Sequence, residues 1–393
     1  MSWPRKKIGE IITFKGGGTP RRDVQEFWAD EIPWATVKDF KSLDLSCTQD
    51  SISRKGLAAS AANLIPAGHV IIPTRMALGK AAINSIDVAI NQDLRALIPN
   101  EPIDSRYLLH AMISLAPQIE QQGEGATVKG ITQAKLAAFE LPLPPLAEQK
   151  RIAAILDAAD DLRTKRRESL AQLDTLLQST FLDLFDDPEG KGWQMATVEH
   201  VADDQKGSIR TGPFGSQMLT SEFVDSGIAV LGIDNAVRNE FQWGERRFIT
   251  PAKYRQLERY TVQPGDVLIT IMGTCGRCAI VPEDIPTSIN TKHLCCITLN
   301  QKKCNPTFLH SYFLLHSIAQ RYLTQTAKGA IMSGLNMGII KAMPIPLPPL
   351  SLQEEYSKVV SEIERQKQLY RTQLDELDTL FASLQSRAFR GEL

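Results

Sequence analysis

The pentapeptide Pro142-Leu143-Pro144-Pro145-Leu146 recurs letter for letter at 346–350, 204 positions further along the chain. Each copy stands directly before a long segment rich in Leu, Ile, Glu and Lys. Proline fixes φ and has no backbone N–H, and it also keeps the residue before it out of the helical region. We therefore expect each pentapeptide to end one structural element and to begin a long helix.

The repeat extends well beyond the pentapeptide. The matching stretches share an offset that drifts smoothly from 197 to 204, as insertions in surface loops would cause. They are PAGHVII (66–72) with QPGDVLI (263–269), Asn91 with Asn290, Leu109-His110 with Leu309-His310, GATVKGIT (125–132) with GAIMSGLN (329–336), and 173–176 with 377–380. The pattern indicates a tandem duplication, in which each copy is a globular part followed by a helix.

Both helical segments carry an apolar seam of heptad type and contain no internal proline or glycine. A helix this long cannot bury its seam against one compact domain, so we expect the two helices to pair with each other. The predicted domains are a globular part at 1–140, a helix at 141–187, a globular part at 188–344 and a helix at 345–393. The seam residues are Ile152, Ile155, Leu162, Leu173 and Leu177 in the first helix, and Tyr356, Ile363, Tyr370, Leu377 and Leu384 in the second.

The sequences of the globular parts predict both strands and helices. The runs 70–74 and 266–272 predict strands, and 105–122 and 306–323 predict amphipathic helices. The expected fold class is therefore α+β, with two mixed α/β domains joined by the paired helices. Duplicated units often pack about a pseudo-twofold axis. Two inverted modules at a fixed separation would suit the two strands of a DNA duplex, although tandem duplicates with a helical spacer also make scaffolds.

Composition limits the class of protein. The chain is 43% hydrophobic and 23% charged, without a run of apolar residues long enough to span a membrane. The start, MSWPRKKIGEII, lacks the apolar core of a secretory signal, so we expect a cytosolic protein with reduced cysteines. The net charge of −1 argues mildly against a nucleic-acid binder. A local excess of Lys and Arg over residues 5–22 nevertheless leaves room for a basic surface.

Several motifs together carry a family resemblance over essentially the whole chain. The first copy contains IGEIITFKGGGTPRRD and closes in LPLPPLAEQKRIAAILDAAD, and the second contains SIRTGPFGSQM and closes in IPLPPLSLQEEY. This combination closely resembles the specificity subunit of type I restriction–modification enzymes. The second copy departs at 351–355, where SLQEE replaces the AEQKR of 147–151, and this puts the equivalence of the two docking surfaces in doubt.

The resemblance implies a non-catalytic subunit of a DNA-methylating and phage-restricting complex. Each globular part would be a target recognition domain that recognises one half of a bipartite, asymmetric sequence in double-stranded DNA. The helices would form an antiparallel coiled coil that spaces the two domains. They would also dock two modification subunits, which methylate adenine with S-adenosylmethionine. Restriction subunits would add an ATP- and magnesium-dependent nuclease. No cofactor is expected on this chain, and no membrane contact.

The sequence lacks the motifs that a methyltransferase or a nucleotide-binding enzyme would carry. The chain has no Asn/Asp-Pro-Pro-aromatic loop for an extruded adenine and no phosphate-binding Gly-x-x-x-x-Gly-Lys-Ser/Thr loop. The series Cys275, Cys278 and Cys295, with His293 or Cys296, resembles part of a zinc pattern. In the first copy Leu78 and Ala81 replace the first two cysteines, which favours buried thiols over a metal site.

Candidate DNA-binding residues are basic, glycine or hydroxyl side chains near predicted turns, where backbone N–H groups and guanidinium groups can meet phosphates and bases. They are Lys15, Gly17, Thr19, Arg21, Arg22, Lys38, Arg75 and Lys80 in the first copy, and Lys206, Arg210, Arg238, Arg277, Lys292 and Lys328 in the second. The two copies differ most over 13–60 and 205–260, which predicts different half-sites. The rival interpretation is a coiled-coil scaffold with two protein-binding modules.

Overall fold

The computed structural model describes residues 3–327 and 334–393. The chain divides into two compact units, which we call unit 1 (Met1–Glu168 with Arg371–Leu393) and unit 2 (Ser169–Tyr370). Each long helix therefore contributes one half to each unit. This division differs from the predicted one, which assigned the helices to segments of their own.

Unit 1 contains short strands and helices followed by the first long helix. Its described strands are β1 (Arg5–Lys7), β2 (Ile12–Gly16), β3 (Ile32–Ala35), β4 (Asp44–Leu45), β5 (Asp50–Ile52), β6 (Asn63–Ile65), β7 (Val70–Pro73), β8 (Ala82–Asn84), β9 (Val88–Ile90), β10 (Leu94–Pro99) and β11 (Glu140–Pro142). Its helices are α1 (Ile8–Ile11), α2 (Arg54–Ala58), α3 (Ser105–Ser114), α4 (Ala116–Gln121), α5 (Gln133–Ala138) and α6 (Leu146–Phe185), which continues into unit 2.

Unit 2 repeats this order. Its described strands are β12 (Met195–Thr197), β13 (Ile209–Thr211), β14 (Ile228–Leu231), β15 (Phe248–Ile249), β16 (Val267–Thr270), β17 (Cys278–Ile280), β18 (Ser288–Asn290), β19 (Leu294–Ile297) and β20 (Pro344–Pro346). Its helices are α7 (Val198–Val201), α8 (Pro251–Leu257), α9 (Pro306–Leu315), α10 (Ser317–Ala327), α11 (Met337–Ala342) and α12 (Leu350–Arg390), which continues into unit 1.

The sheets of the two units have the same plan. One sheet has the order β2-β10-β7-β8-β4 in unit 1 and β13-β19-β16-β17 in unit 2. A second sheet contains a parallel pair, β3 with β9 in unit 1 and β14 with β18 in unit 2. Helices α3 and α9 pack on the first sheet of their own units and join its hydrophobic core. The predicted α+β fold with two mixed domains is confirmed.

Each proline-rich pentapeptide begins at the last residue of a strand that belongs to a two-stranded sheet. Strand β11 pairs only with β1, and β20 pairs only with β12, among the described residues. Edge positions of this kind tolerate the missing N–H of proline. Helix α6 then begins at Leu146 and α12 at Leu350, the last residue of each pentapeptide.

The long helices pack in antiparallel fashion within each unit. In unit 1 the first half of α6 meets the last half of α12, where Phe381 and Ala388 join Leu156 in the core. In unit 2 the last half of α6 meets the first half of α12, where the Phe181 and Phe185 rings each lie 5.5 Å from the Tyr356 ring. The expected direction of the coiled coil is thus observed separately in both units.

The seam itself differs from the heptad prediction in part. Ile152, Tyr356 and Ile363 are buried as expected, and Ile155, Leu173, Leu177, Tyr370, Leu377 and Leu384 are partly buried. Leu162, however, is 53% exposed. At this level of the coil the partner surface is occupied by Arg163, whose guanidinium stacks 4.3 Å from the Phe381 ring centroid and leaves Leu162 facing outward.

The two predicted amphipathic helices are each broken. In unit 1 the break lies at Leu115, and Pro117 follows in the first turn of α4, where a missing N–H costs nothing. In unit 2 the break lies at His316, which has an extended backbone. None of the helices in the described ranges is both long and apolar enough to cross a membrane.

Candidate nucleic-acid interface

A cavity of about 410 Å³ opens on unit 1 where the parallel strand pair ends. Trp34 in β3 lines it, together with residues from the turn after β3, the loop between β9 and β10, and the segment after β2. The residues that line it include three sequence candidates, Thr19, Arg22 and Lys38. A fourth candidate, Arg75, adjoins the lining residue Met76. The structure thus brings together candidates that lie far apart in the sequence.

Close backbone packing shapes this cavity. The Trp34 indole N–H donates to the Gly18 carbonyl at 3.0 Å, and the Gly18 N–H donates to the Ile90 carbonyl at 3.0 Å. At Gly17 the space for a side chain is filled by the backbone carbonyl groups of Ile90 and Asn91. Gly17 therefore allows two backbone segments of unit 1 to approach each other closely. We assign it to this internal packing and not to DNA contact.

The candidate residues around the cavity differ in their exposure and in their contacts with other side chains. The Thr19 hydroxyl donates to the Gln92 side chain, and the Arg22 guanidinium lies 5.1 Å from the Trp28 ring centroid. Lys38 is exposed in the turn after β3. Arg75 is 58% exposed and lies 3.6 Å from Asp93. The exposed cations beside this cavity can contact both phosphates and bases.

The remaining unit 1 candidates lie elsewhere. The Lys15 ammonium contacts the Leu64 carbonyl at 3.3 Å, and Arg21 forms an exposed ion pair with Asp23 at 2.6 Å. Lys80 lies in a separate cavity of about 530 Å³ beside α6, where its ammonium donates to the Phe40 carbonyl at 3.3 Å.

Hydrogen bonds identify the equivalent positions in unit 2. The Asn91 N–H donates to the Ala35 carbonyl at 3.1 Å, and the Thr291 N–H donates to the Leu231 carbonyl at 2.9 Å. Asn91 therefore corresponds to Thr291, and its sequence match with Asn290 is shifted by one residue. Gly212 repeats the role of Gly17, since the Asn290 carbonyl fills its side-chain space.

The chemistry at equivalent positions is different. The middle residue of the turn after the parallel strand is Lys38 in unit 1 and Asp234 in unit 2. Asp234 forms an ion pair with Arg247 at 2.7 Å. Burial, together with the charges of Lys292 and Arg247, lowers the pKa of His293 in the neighbouring loop. The same backbone frame thus presents a cation in one unit and a paired carboxylate in the other.

The unit 2 candidates are dispersed. Arg238 and Arg277 are exposed, Lys292 is partly buried, and Lys328 lies outside the described residues. Lys206 and Arg210 line a cavity of about 410 Å³. The Arg210 guanidinium is only 11% exposed and is held by Asp266 at 2.8 Å and by the Thr298 hydroxyl at 3.0 Å. We therefore assign Arg210 to the internal structure of unit 2 and leave it out of the proposed interface.

Cys278, Cys295, Cys296 and Cys304 are buried in unit 2, whereas Cys275 is partly buried and Cys47 is exposed in unit 1. Cys278 and Cys295 are buried among apolar side chains. Burial raises the pKa of both thiols, that of Cys295 to about 12, and so disfavours the thiolate that zinc requires. Within residues 3–327 and 334–393, no group of three or more His, Cys, Asp or Glu side chains is arranged to hold a metal ion.

Known proteins share both the sequence pattern and the fold. Residues 2–173 and 234–379 match the family model described as the type I restriction modification DNA specificity domain. The EcoR124I/EcoR124II specificity subunit of Escherichia coli is 34% identical over 183 residues, covering 45% of each chain. The MjaIX specificity subunit of Methanocaldococcus jannaschii is 26% identical over 52% of this chain and 53% of its own. The chain thus spans about half the length of these two relatives.

A longer match is found with the EcoBI specificity subunit of Escherichia coli, 26% identical over all of this chain and 86% of the relative. Among solved structures, the S subunit from M. genitalium covers 98% of this chain with a TM-score of 0.59 at 15% identity. A chain from a structural study of the assembly and conformational transition of the type I system gives a TM-score of 0.59 at 18% identity. These likenesses show a shared fold. Together with the family match, which includes more than half of the residues, they show that this chain belongs to the family of type I restriction–modification DNA specificity domains.

Proposed function

We propose that this chain is the DNA-specificity subunit of a type I restriction–modification complex, in which unit 1 and unit 2 each recognise one half of a bipartite, asymmetric site in double-stranded DNA. The observation that carries the proposal is the cavity of unit 1, which gathers Thr19, Arg22 and Lys38 around Trp34. In unit 2 the same backbone frame carries other side chains, with Asp234 in place of Lys38. Two equivalent frames with unlike chemistry suit two unlike half-sites.

Local charge reconciles this function with a net charge of −1. Phosphate contacts need only a few exposed cations on one surface, and base contacts supply the sequence preference. Arg22 and Lys38 are exposed at the cavity of unit 1. Elsewhere many basic side chains are neutralised by acids, as Arg5 is by Glu140.

The paired helices have a second role in this proposal. They set the spacing between half-sites and dock two modification subunits, which transfer a methyl group from S-adenosylmethionine to adenine. Restriction subunits, with their ATP and magnesium, join through these partners. The chain itself binds DNA and performs no catalysis, and the complex acts in the cytosol. The support is that the matched relatives are named as specificity subunits of type I restriction enzymes.

Methylome sequencing of the source cell, with and without this gene, tests the proposal. Loss of one bipartite methyladenine motif upon deletion is the expected result. An unchanged methylome would overturn the proposal and would favour a coiled-coil scaffold with protein partners. As a second test, residues 1–140 are exchanged for those of another family member. The exchange should alter one half of the motif and leave the other half and the spacing intact.

A further inference from the structure

The turn after β7 holds an exposed residue in a strained backbone conformation. Met76 has φ +68° and its side chain is 60% exposed. A non-glycine residue in the left-handed region costs on the order of 1 kcal/mol or more and persists only where neighbours impose it. The Met76 N–H donates to the Lys129 carbonyl at 3.1 Å, and the Ile131 N–H donates to the Thr74 carbonyl at 2.9 Å. These two hydrogen bonds connect the turn to the loop at Lys129–Ile131 and restrict its backbone conformation.

Arg75, on this turn, is anchored to a buried acid. The Asp93 side chain is 7% exposed, and its Oδ1 lies 3.6 Å from the Arg75 guanidinium. That oxygen accepts no hydrogen bond within the described part of the chain, so Arg75 is the main counter-charge. Asp93 is itself fixed, since its carbonyl accepts from the Thr74 N–H at 2.7 Å and its N–H donates to the Asn91 side chain at 3.0 Å. A buried carboxylate thus attracts an exposed guanidinium by charge, without a hydrogen bond between the two side chains.

Unit 2 has the same turn with different side chains. Gly273, with φ +70°, occupies the position of Met76, and Met272 occupies that of Arg75. The His293 carbonyl accepts from the Ile271 N–H at 2.9 Å, as the Asp93 carbonyl does from Thr74. His293 therefore stands in the place of Asp93. Both members of the acid–guanidinium pair are replaced together, while the backbone is kept.

We propose that Arg75 is a specificity-determining residue of unit 1 and that Asp93 is its positioning residue. Arg75 donates two hydrogen bonds to O6 and N7 of one guanine in the half-site that unit 1 recognises. A guanidinium presents its N–H donors in a planar fork that matches O6 and N7 of guanine, and the charge attraction of Asp93 favours positions of Arg75 beside the cavity. Met272 cannot make the equivalent contact in unit 2. The proposal rests on the proposed function.

The test uses the full chain co-expressed with its modification subunits, and measures adenine methylation on duplexes carrying each base at each half-site position. Arg75→Met places the unit 2 residue at a site that is 58% exposed, and because it also removes the counter-charge of Asp93, the double variant Arg75→Met/Asp93→Asn, which leaves no unpaired carboxylate, is measured beside it. The matched control is Lys55→Gln, which removes a cation 74% exposed outside the cavity. We expect Arg75→Met to lower discrimination for guanine on the order of 10- to 100-fold at one position of one half-site. Lys55→Gln should leave it unchanged.

Asp93→Asn should lower discrimination at that same position, and Arg75→Lys should not restore it because an ammonium lacks the planar fork. Thermal unfolding of each variant separates loss of recognition from loss of fold. A uniform fall in methylation across all sequences, with discrimination intact, would make Arg75 a phosphate contact and overturn the proposal. Unchanged discrimination would overturn it as well. If the unaltered complex methylates no bipartite site, the proposed function itself fails, which is a distinct result.

Discussion

The side chain of Gln149 joins the start of α6 to Asp104, the residue that caps α3. Gln149 Oε1 accepts a hydrogen bond from the Asp104 N–H at 2.9 Å, and its Nε2 donates to the Pro144 carbonyl at 2.9 Å. In unit 2 Gln353 makes the same two bonds, with Asn305 and Pro348, both at 2.9 Å. The proline-rich joint is therefore locked by a buried glutamine that ties the long helix to a helix of the globular part.

Replacing this glutamine should weaken both joints. Gln149→Ala leaves the partly buried Asp104 N–H and the buried Pro144 carbonyl without these partners, at a cost of about 2–4 kcal/mol of unfolding free energy. Chemical denaturation measures this, and hydrogen exchange at the start of α6 should rise. Gln353→Ala should act alike in unit 2. Glu148→Ala is the control in the same turn, since its ion pair with Arg151 lies at the surface and contributes little. An equal loss in the control would contradict the assignment.

Phe381 should be essential for the helix pairing in unit 1. Its ring is 8% exposed, and Phe381→Ala should cost about 3–5 kcal/mol because a cavity forms between the helices. Leu380, its neighbour, is 47% exposed, so Leu380→Ala should change stability by less than about 0.5 kcal/mol. Urea denaturation compares the two. Similar losses for both variants would mean that the helices do not meet at Phe381.

Substitutions of Arg210 and Lys206, which line the same cavity, should have different effects on stability. Arg210→Ala leaves the Asp266 carboxylate, 1% exposed, without its cation, and should cost about 3–5 kcal/mol. Lys206→Ala, at an exposed position of the same cavity, should leave stability within about 0.5 kcal/mol. Thermal unfolding and a DNA-binding titration on both variants check this. A stable Arg210→Ala protein with weakened DNA binding would restore Arg210 to the interface.

Unit 2 should lose stability in mild acid. Burial lowers the pKa of His310, whose Nε2 lies 2.9 Å from the Asn239 carbonyl and 3.1 Å from the Cys278 carbonyl. Because the unfolded chain binds the proton more readily, the contribution of neutral His310 is full above the unfolded pKa of about 6.5 and falls as pH drops below it. Thermal unfolding between about pH 7 and 5.5 should show a shallower slope for His310→Gln. An unchanged slope would exclude His310 as the cause.

The sequence alone determined the duplication, the fold class and the two long helices, because these follow from periodicity and from the backbone chemistry of proline. Ile152 and Tyr356, which it predicted in the seam, are buried. It placed Leu162 there wrongly, because a heptad does not reveal that Arg163 stacks on Phe381 at that level. Glutamine follows both pentapeptides in the sequence, yet nothing in it shows that the Gln149 amide reaches Asp104, 45 residues away.

Only the tertiary structure decided which candidates share a surface. Lys15, Arg21 and Arg75 look equivalent as basic residues near turns, and they differ because of what lies beside each one. Arg210 lies in β13, and its partner Asp266 directly precedes β16. The acid that holds Arg75 is Asp93, brought close by the pairing of β7 with β10. Ion pairs and cavities depend on distances between segments remote in sequence, and local pattern carries no such distances.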